Sequence, residues 1–274
     1  MQRMLEELAR QIRDQKVVLF AGAGLSVPLG LPSWGGLMRH VATELGYDPD
    51  VLVRPGADYL QLAEYYRLES GSIGRLRSWM DRTWTVPDEK LNASRVHNQI
   101  VDLDFPFIYT TNYDRNIERT FELRERNFSK IVSVLDVANA CSDRTHIVKF
   151  HGDFDEESSL VLSESDYFDR LDFDSPLDIK FRSDILGRSV LFVGYSLSDL
   201  NLRLMLYRMN KLWAASRFAD KRPTSYIFLL NPDPVQERVL ESRGVRAIVY
   251  DGDSPDDALP GLFNQLIEAV RRGN

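Results

Sequence analysis

The run Val17-Val18-Leu19-Phe20-Ala21-Gly22-Ala23-Gly24-Leu25-Ser26 passes from apolar residues directly into a turn of small ones. Its apolar half, β-branched at the start, suits a strand buried on both faces, as parallel strands between two helix layers are. Glycines in the turn would let the backbone approach a pyrophosphate, and a helix starting behind it would offer free N–H groups and a favourable dipole. The usual dinucleotide fingerprint is incomplete, because Val27 stands where a third glycine belongs and no Lys-Ser/Thr pair follows to make a phosphate loop. Glu44 has the spacing of a ribose-binding acid but falls inside a helical pattern. Taken alone, the run is equally well a plain tight turn.

Further strand patterns lie outward from it: Phe107 to Thr110, Ile147 to Phe150, Val190 to Gly194, Tyr226 to Leu230 and Val245 to Tyr250. Helical patterns separate them, among them Leu37 to Leu45 closed by Gly46, and Leu200 to Trp213 opened by Ser198 or Asp199. Strands alternating with helices predict an α/β fold, a doubly wound Rossmann-like parallel sheet. From Met38 to Asp104 the strand pattern is missing, and Tyr59, Leu60, Ala63, Tyr66, Trp79, Met80 and Trp84 mark helical faces. The expectation is one domain over residues 1–274, with a core at about 15–37 and 105–274 and an inserted helical lobe at about 38–104. Asp153 to Arg188, rich in Asp, Ser and Phe, reads as a loop with short helices near the site.

Composition narrows the function. The 274 residues carry a net charge of −7, so a broad basic face for direct nucleic-acid binding is not expected. No apolar run reaches membrane-spanning length, and the N-terminus is charged and helix-forming rather than a signal segment, which predicts a cytoplasmic protein without membrane contact. The single cysteine, Cys141, excludes an internal disulfide or a cysteine-based zinc ribbon in this chain and reads as a partly buried bystander. Leu5, Leu8 and Ile12 form a stripe on the first helix that could serve assembly or pack on the chain's own core.

Polar and glycine-bearing segments recur where the strands end: Thr110-Thr111-Asn112-Tyr113-Asp114, Lys149-Phe150-His151-Gly152-Asp153, Gly194-Tyr195-Ser196-Leu197 and Leu230-Asn231-Pro232, with Gly30-Leu31-Pro32-Ser33-Trp34 following the glycine turn. Open α/β sheets bind ligands at the carboxyl ends of their strands. Histidine titrates nearest neutrality, and an asparagine amide both donates to and accepts from hydroxyls or water. Asn112 could still be only a turn former, and His151 a hydrogen-bonded structural residue. His97, beside Ile100 and Leu103, reads as structural, and His40 and His146 as surface or packing residues.

The order of these motifs resembles the sirtuin superfamily: a Gly-Ala-Gly-x-Ser turn with Gly-Ile-Pro after it, a Thr-Gln-Asn-x-Asp strand end, a His-Gly pair, a Gly-x-Ser strand end and an Asn-x-x-Pro strand end. Leu91 to His97 is similar to the helix that precedes the Asn strand in that family. The resemblance implies that Ala21, Gly22, Gly24 and Ser26 line the phosphates of NAD⁺. It implies that Asn112 and Asp114 hold the nicotinamide ribose and a water, that His151 is the general base, and that Gly194, Ser196 and Asn231 hold the adenosine half.

Departures from the family refine the expectation. The four-cysteine zinc ribbon and the peptide-pairing Phe-Gly-Glu segment are missing. The stretch after His151 is instead acidic, Asp153-Phe154-Asp155-Glu156-Glu157, which would repel acidic partners, and no metal is expected. Gly30-Leu31-Pro32-Ser33-Trp34-Gly35 lacks the family's Asp and Arg, and Thr111 replaces its Gln. The chain thus resembles the zinc-free branch found in bacterial antiphage defence, which Val161 to Tyr167 also fits, and within it the subunit that partners a HerA-type ATPase in large assemblies. That resemblance implies an NAD⁺ hydrolase releasing nicotinamide and ADP-ribose, a homo-oligomer, and a protein partner, since little of the chain is left over for a sensor. The alternatives are a non-catalytic module sensing NAD⁺ or ADP-ribose, and a zinc-free deacylase or ADP-ribosyltransferase.

Overall fold

The computed structural model describes residues 1–195, 199–230, 234–250 and 255–273. Its centre is a sheet of seven parallel strands: β1 (Val17–Ala21), β2 (Phe107–Thr110), β3 (Phe128–Ile131), β4 (Thr145–Lys149), β5 (Ser189–Val193), β6 (Ser225–Leu229) and β7 (Val245–Val249). They lie in the order β3-β4-β2-β1-β5-β6-β7. The chain builds outward from β1 to one side, then returns to begin the other side at β5. Between β1 and β5 the winding reverses, and the helices on either side diverge to leave a crevice.

The alternation of side chains along β1 explains the two helix layers. Val17, Leu19 and Ala21 join one apolar cluster with the helices Gln2–Arg13, Arg95–Leu103, Asn116–Leu123 and Pro255–Arg272. Val18 and Phe20 face the other, with Pro176–Leu186, Leu200–Ala214 and Pro234–Ser242. Every β1 residue is buried, which is why this strand reads as an unbroken apolar run. The stripe of Leu5, Leu8 and Ile12 is buried in the first cluster, and Arg13 donates to the Ala269 carbonyl at 2.9 Å, so the stripe packs on the chain's own core.

The helices Trp34–Glu44, Tyr59–Ser70 and Gly74–Thr83 share a third cluster around Met38, Val41, Tyr66, Leu76 and Met80. That cluster closes on Tyr113, Phe154, Leu160 and Leu162, which follow β2 and β4. The lobe therefore sits over the carboxyl ends of the strands. The sequence pattern placed Arg95–Leu103 in the lobe, but its Ile100, Val101 and Leu103 pack beneath the sheet instead.

Three local features differ from the sequence reading. β3 was not expected: Phe-Ser-Lys-Ile is a short edge strand, half-buried and half-polar, with no apolar run to announce it. Cys141 is exposed rather than partly buried. The acidic run is also partly neutralised, since buried Asp153 pairs with Lys130 of β3 at 2.7 Å, while Asp155 pairs with Lys130 and Arg115. Among the described residues no helix is long and apolar enough to cross a membrane.

Candidate active site

The glycines of the β1 turn serve a neighbour in the protein. Gly22 N donates to the Val193 carbonyl and Gly24 N to the Gly194 carbonyl, both at 2.9 Å, which stitches the ends of β1 and β5 together. A Cβ at Gly22 would lie 2.4 Å from the Gly194 oxygen, and one at Gly24 2.8 Å from the Gly194 Cα. Gly194 itself has φ +60°, and a Cβ there would fall 2.7 Å from Leu25 N. Three glycines thus allow two backbones to touch at the point where the winding reverses. Ala21 is fully buried with its side chain in the core, because it is still part of β1, so only its backbone faces the turn.

Beside this contact a cleft of about 290 Å³ opens between the sheet and the lobe, near the lower end of the ~300–1,000 Å³ common for small-molecule sites. Of the residues singled out in the sequence, Ser26, Asn112, Asp114, His151 and Gly194 line it together. Ala21, Gly22 and Gly24 are not among its lining residues. Ser196 and Asn231 lie outside the described residues. Leu31, Pro32, Trp34, Leu37, Leu60 and Trp84 supply an apolar wall that the sequence motifs did not assign.

The polar floor is tightly determined. Asn112 spends its amide hydrogens inside the protein, on the Gly22 carbonyl at 3.1 Å and the Ser26 hydroxyl at 3.3 Å. What it can offer a ligand is its Oδ1, an acceptor suited to a ribose hydroxyl or a water. Ser26 donates its only hydroxyl hydrogen to Asp114 at 2.8 Å, so it orients Asp114 rather than offering a donor to a phosphate. The other Asp114 oxygen accepts from Asn116 N at 3.0 Å. Beneath them Lys149, fully buried, donates to the Asp114 carbonyl and pairs with buried Glu118 at 3.1 Å. Neither charge was assigned a role from the sequence.

His151 follows β4, where the chain makes a sharp reversal. Gly152 takes φ +80°, and a Cβ there would stand 2.2 Å from the Ser159 carbonyl, which is why glycine follows the histidine. Phe150 stacks near the His151 ring and Tyr167 meets it edge-on. His151 Nε2 lies 3.3 Å from the carboxylate of Asp199, and both side chains are buried. Burial alone would raise the Asp199 pKa. Hydrogen bonding and charge from His151, the backbone N–H of Leu202 and the Tyr195 hydroxyl outweigh it and hold the group at about 2. Burial pushes the phenols of Tyr167 and Tyr195 well above their ordinary range, so both remain donors. The sequence identified Asp199 only as a helix cap, which it is; its reach to His151 exists only in the fold.

His97 is buried, and Ser94 Oγ meets its Nδ1 at 2.8 Å. Burial lowers its pKa to about 4, against a smaller upward pull from Asp114. In the unfolded chain a histidine titrates near ~6.5, so the unfolded state takes up a proton that the folded state refuses. Stability is expected to fall as pH drops from about 6.5 to about 4, and His97→Leu should flatten that slope in thermal melts. An identical slope in both proteins would contradict a neutral, buried His97. His40 stacks on Trp79 and His146 packs edge-on to Phe107, away from the cleft. Among the described residues no group of three or more His, Cys, Asp or Glu is placed to hold a metal ion.

Residues 106–248 match the SIR2-like domain family. The chain is 33% identical over 208 residues to the NAD(+) hydrolase ThsA of Enterococcus faecium, covering 74% of this chain and 42% of that protein. It is 30% identical over 214 residues to the protein of that name from Bacillus cereus strain MSX-D12, covering 76% and 43%. Defense-associated sirtuin 2 of Bacillus subtilis is 28% identical over 254 residues, covering 89% of this chain and 24% of its own length. The chain thus spans less than half the length of these relatives. With its glycine turn, Asn112 and His151 meeting at the reversal of a parallel sheet, and with more than half of its length matched, the chain belongs to the SIR2-like domain family.

Proposed function

We propose that this cleft hydrolyses NAD⁺ to nicotinamide and ADP-ribose, as an effector that depletes the dinucleotide in defence against phage. The observation that carries the reading is the meeting of Asn112 Oδ1 and the His151 ring in one cleft with an apolar wall. Loss of nicotinamide leaves an oxocarbenium-like ribose, so the site must hold the ring for departure and position a water. Trp34, Leu31 and Leu60 offer an apolar surface for the nicotinamide ring, Asn112 accepts from the ribose or the water, and His151 takes the proton. The relatives named NAD(+) hydrolase support the same chemistry. A homo-oligomer, a HerA-type ATPase partner and action on the cytoplasmic NAD⁺ pool belong to the proposal and rest on the resemblance; co-purification tests the first two.

The test is product analysis by chromatography and mass spectrometry after incubation with NAD⁺. Nicotinamide and ADP-ribose should accumulate with the wild-type chain, and His151→Ala should lower the rate by roughly 10²–10⁴-fold, the usual contribution of a general base. Bound but intact NAD⁺ with the wild type would make the cleft a sensor and overturn the proposal. Equal rates in the two proteins would remove His151 as the base.

A further inference from the structure

We infer that Asp199 fixes the tautomer of His151, keeping a hydrogen on Nε2 so that Nδ1 is the nitrogen that accepts the proton in the cleft. The inference rests on the proposed NAD⁺ hydrolysis for its catalytic consequence, but its structural half stands on the geometry alone. Asp199 Oδ1 accepts from Leu202 N at 2.9 Å, which caps the helix Leu200–Ala214 and fixes the plane of the carboxylate. The other oxygen accepts from the Tyr167 hydroxyl at 3.3 Å and faces His151 Nε2 at the same distance. The Tyr195 hydroxyl adds a further donor to the carboxylate. An ionised carboxylate only accepts, so the imidazole nitrogen facing it must carry hydrogen. Nδ1 makes no hydrogen bond to a described residue, and His151 lines the cleft.

The C1′–N bond of NAD⁺ breaks with its electron pair leaving on neutral nicotinamide. A water oxygen bonds to C1′, and its proton passes to Nδ1, from which it is released to solvent. The imidazolium formed in between lies against the buried Asp199 carboxylate, which stabilises it. Asp199 touches no reacting atom in this scheme and is a positioning residue.

Asp199→Asn discriminates this role from a purely structural one. The asparagine oxygen can keep the helix cap by accepting from Leu202 N. Its amide group then faces Nε2 as a donor, which drives the hydrogen to Nδ1 and leaves the wrong tautomer. The experiment is ¹⁵N NMR of the imidazole nitrogens in the full chain, with the His151 signals identified by their loss in His151→Ala. The wild type is expected to show Nε2 protonated and Nδ1 unprotonated in the neutral ring, with the two exchanged in Asp199→Asn. In the NAD⁺ assay the variant should lose roughly 10²–10⁴-fold in kcat, with KM changed less than about threefold. A wild-type His151 protonated on Nδ1 overturns the inference whatever the variant does, as does an unchanged tautomer and kcat in Asp199→Asn. A wild type inert to NAD⁺ but with the Nε2–H tautomer dependent on Asp199 would remove the reading of the reaction while upholding the control of His151.

Discussion

Lys149→Met is expected to destabilise the protein by about 3–5 kcal/mol, the cost of leaving a buried partner charge uncompensated. Lys149 is fully buried at the end of β4, and Glu118, 3.1 Å away, is nearly so. Methionine fills the volume of the lysine stem, so the loss reports the missing charge rather than a cavity. The same substitution leaves the Asp114 carbonyl without its donor, loosening the turn that carries Asn112 and Asp114 into the cleft. At roughly 2–4 °C per kcal/mol, a chain of this size should melt about 6–20 °C lower. The double variant Lys149→Met with Glu118→Leu should regain most of that, because a buried ion pair replaced as a unit by apolar residues is often close to neutral. It should not regain all of it, since the orphaned Asp114 carbonyl still costs about 1–3 kcal/mol. Thermal melts of the three proteins decide this; a single variant as stable as the wild type would mean that the pair does not hold the site.

Asn112→Ala is expected to abolish most NAD⁺ turnover while leaving the fold nearly intact. The side chain makes two neutral hydrogen bonds to the β1 turn, and removing them costs about 1–3 kcal/mol in all. In the proposed reaction, however, its Oδ1 is the acceptor for the ribose or the water. Misplacing a reactant by an ångström is enough to cost on the order of 10² in rate. Asn112→Asp should fail as well, since a carboxylate cannot donate to the Gly22 carbonyl and would sit close to Asp114. Steady-state rates alongside melting temperatures separate the two effects. Turnover near the wild-type value in Asn112→Ala would place the chemistry elsewhere.

The sheet was largely legible because its central strands are buried on both faces and so appear as unbroken apolar runs, Val17 to Ala21 above all. The edge strand Phe128–Ile131 escaped notice for the opposite reason: partly exposed, it alternates in character and resembles a loop. The gathering of Asn112, Asp114 and His151 was legible because strand ends in a parallel sheet all point to one rim. What each of them touches was not. Gly22 and Gly24 read as making room for a ligand, yet the nearest backbone is that of Gly194, a neighbour only through the pairing of β1 with β5. Asp199 read as a cap because capping is a local relation, while its second oxygen acts on a histidine distant in sequence. Lys149 and Glu118 carried no mark in the pattern, since a charged residue is ordinarily exposed and only the packed fold shows this pair to be inside. The apolar roof from Trp34, Leu60 and Trp84 depends on how the lobe closes over the sheet, which no local pattern encodes.

The most direct measurement is a crystal structure of the His151→Ala protein with NAD⁺. The nicotinamide riboside is predicted in the cleft between Asn112 and position 151, its ring against the wall of Trp34 and Leu60, with the pyrophosphate leading away along the joined ends of β1 and β5. A dinucleotide bound away from this cleft, or one that presents its adenine rather than its nicotinamide to Asn112, would contradict it.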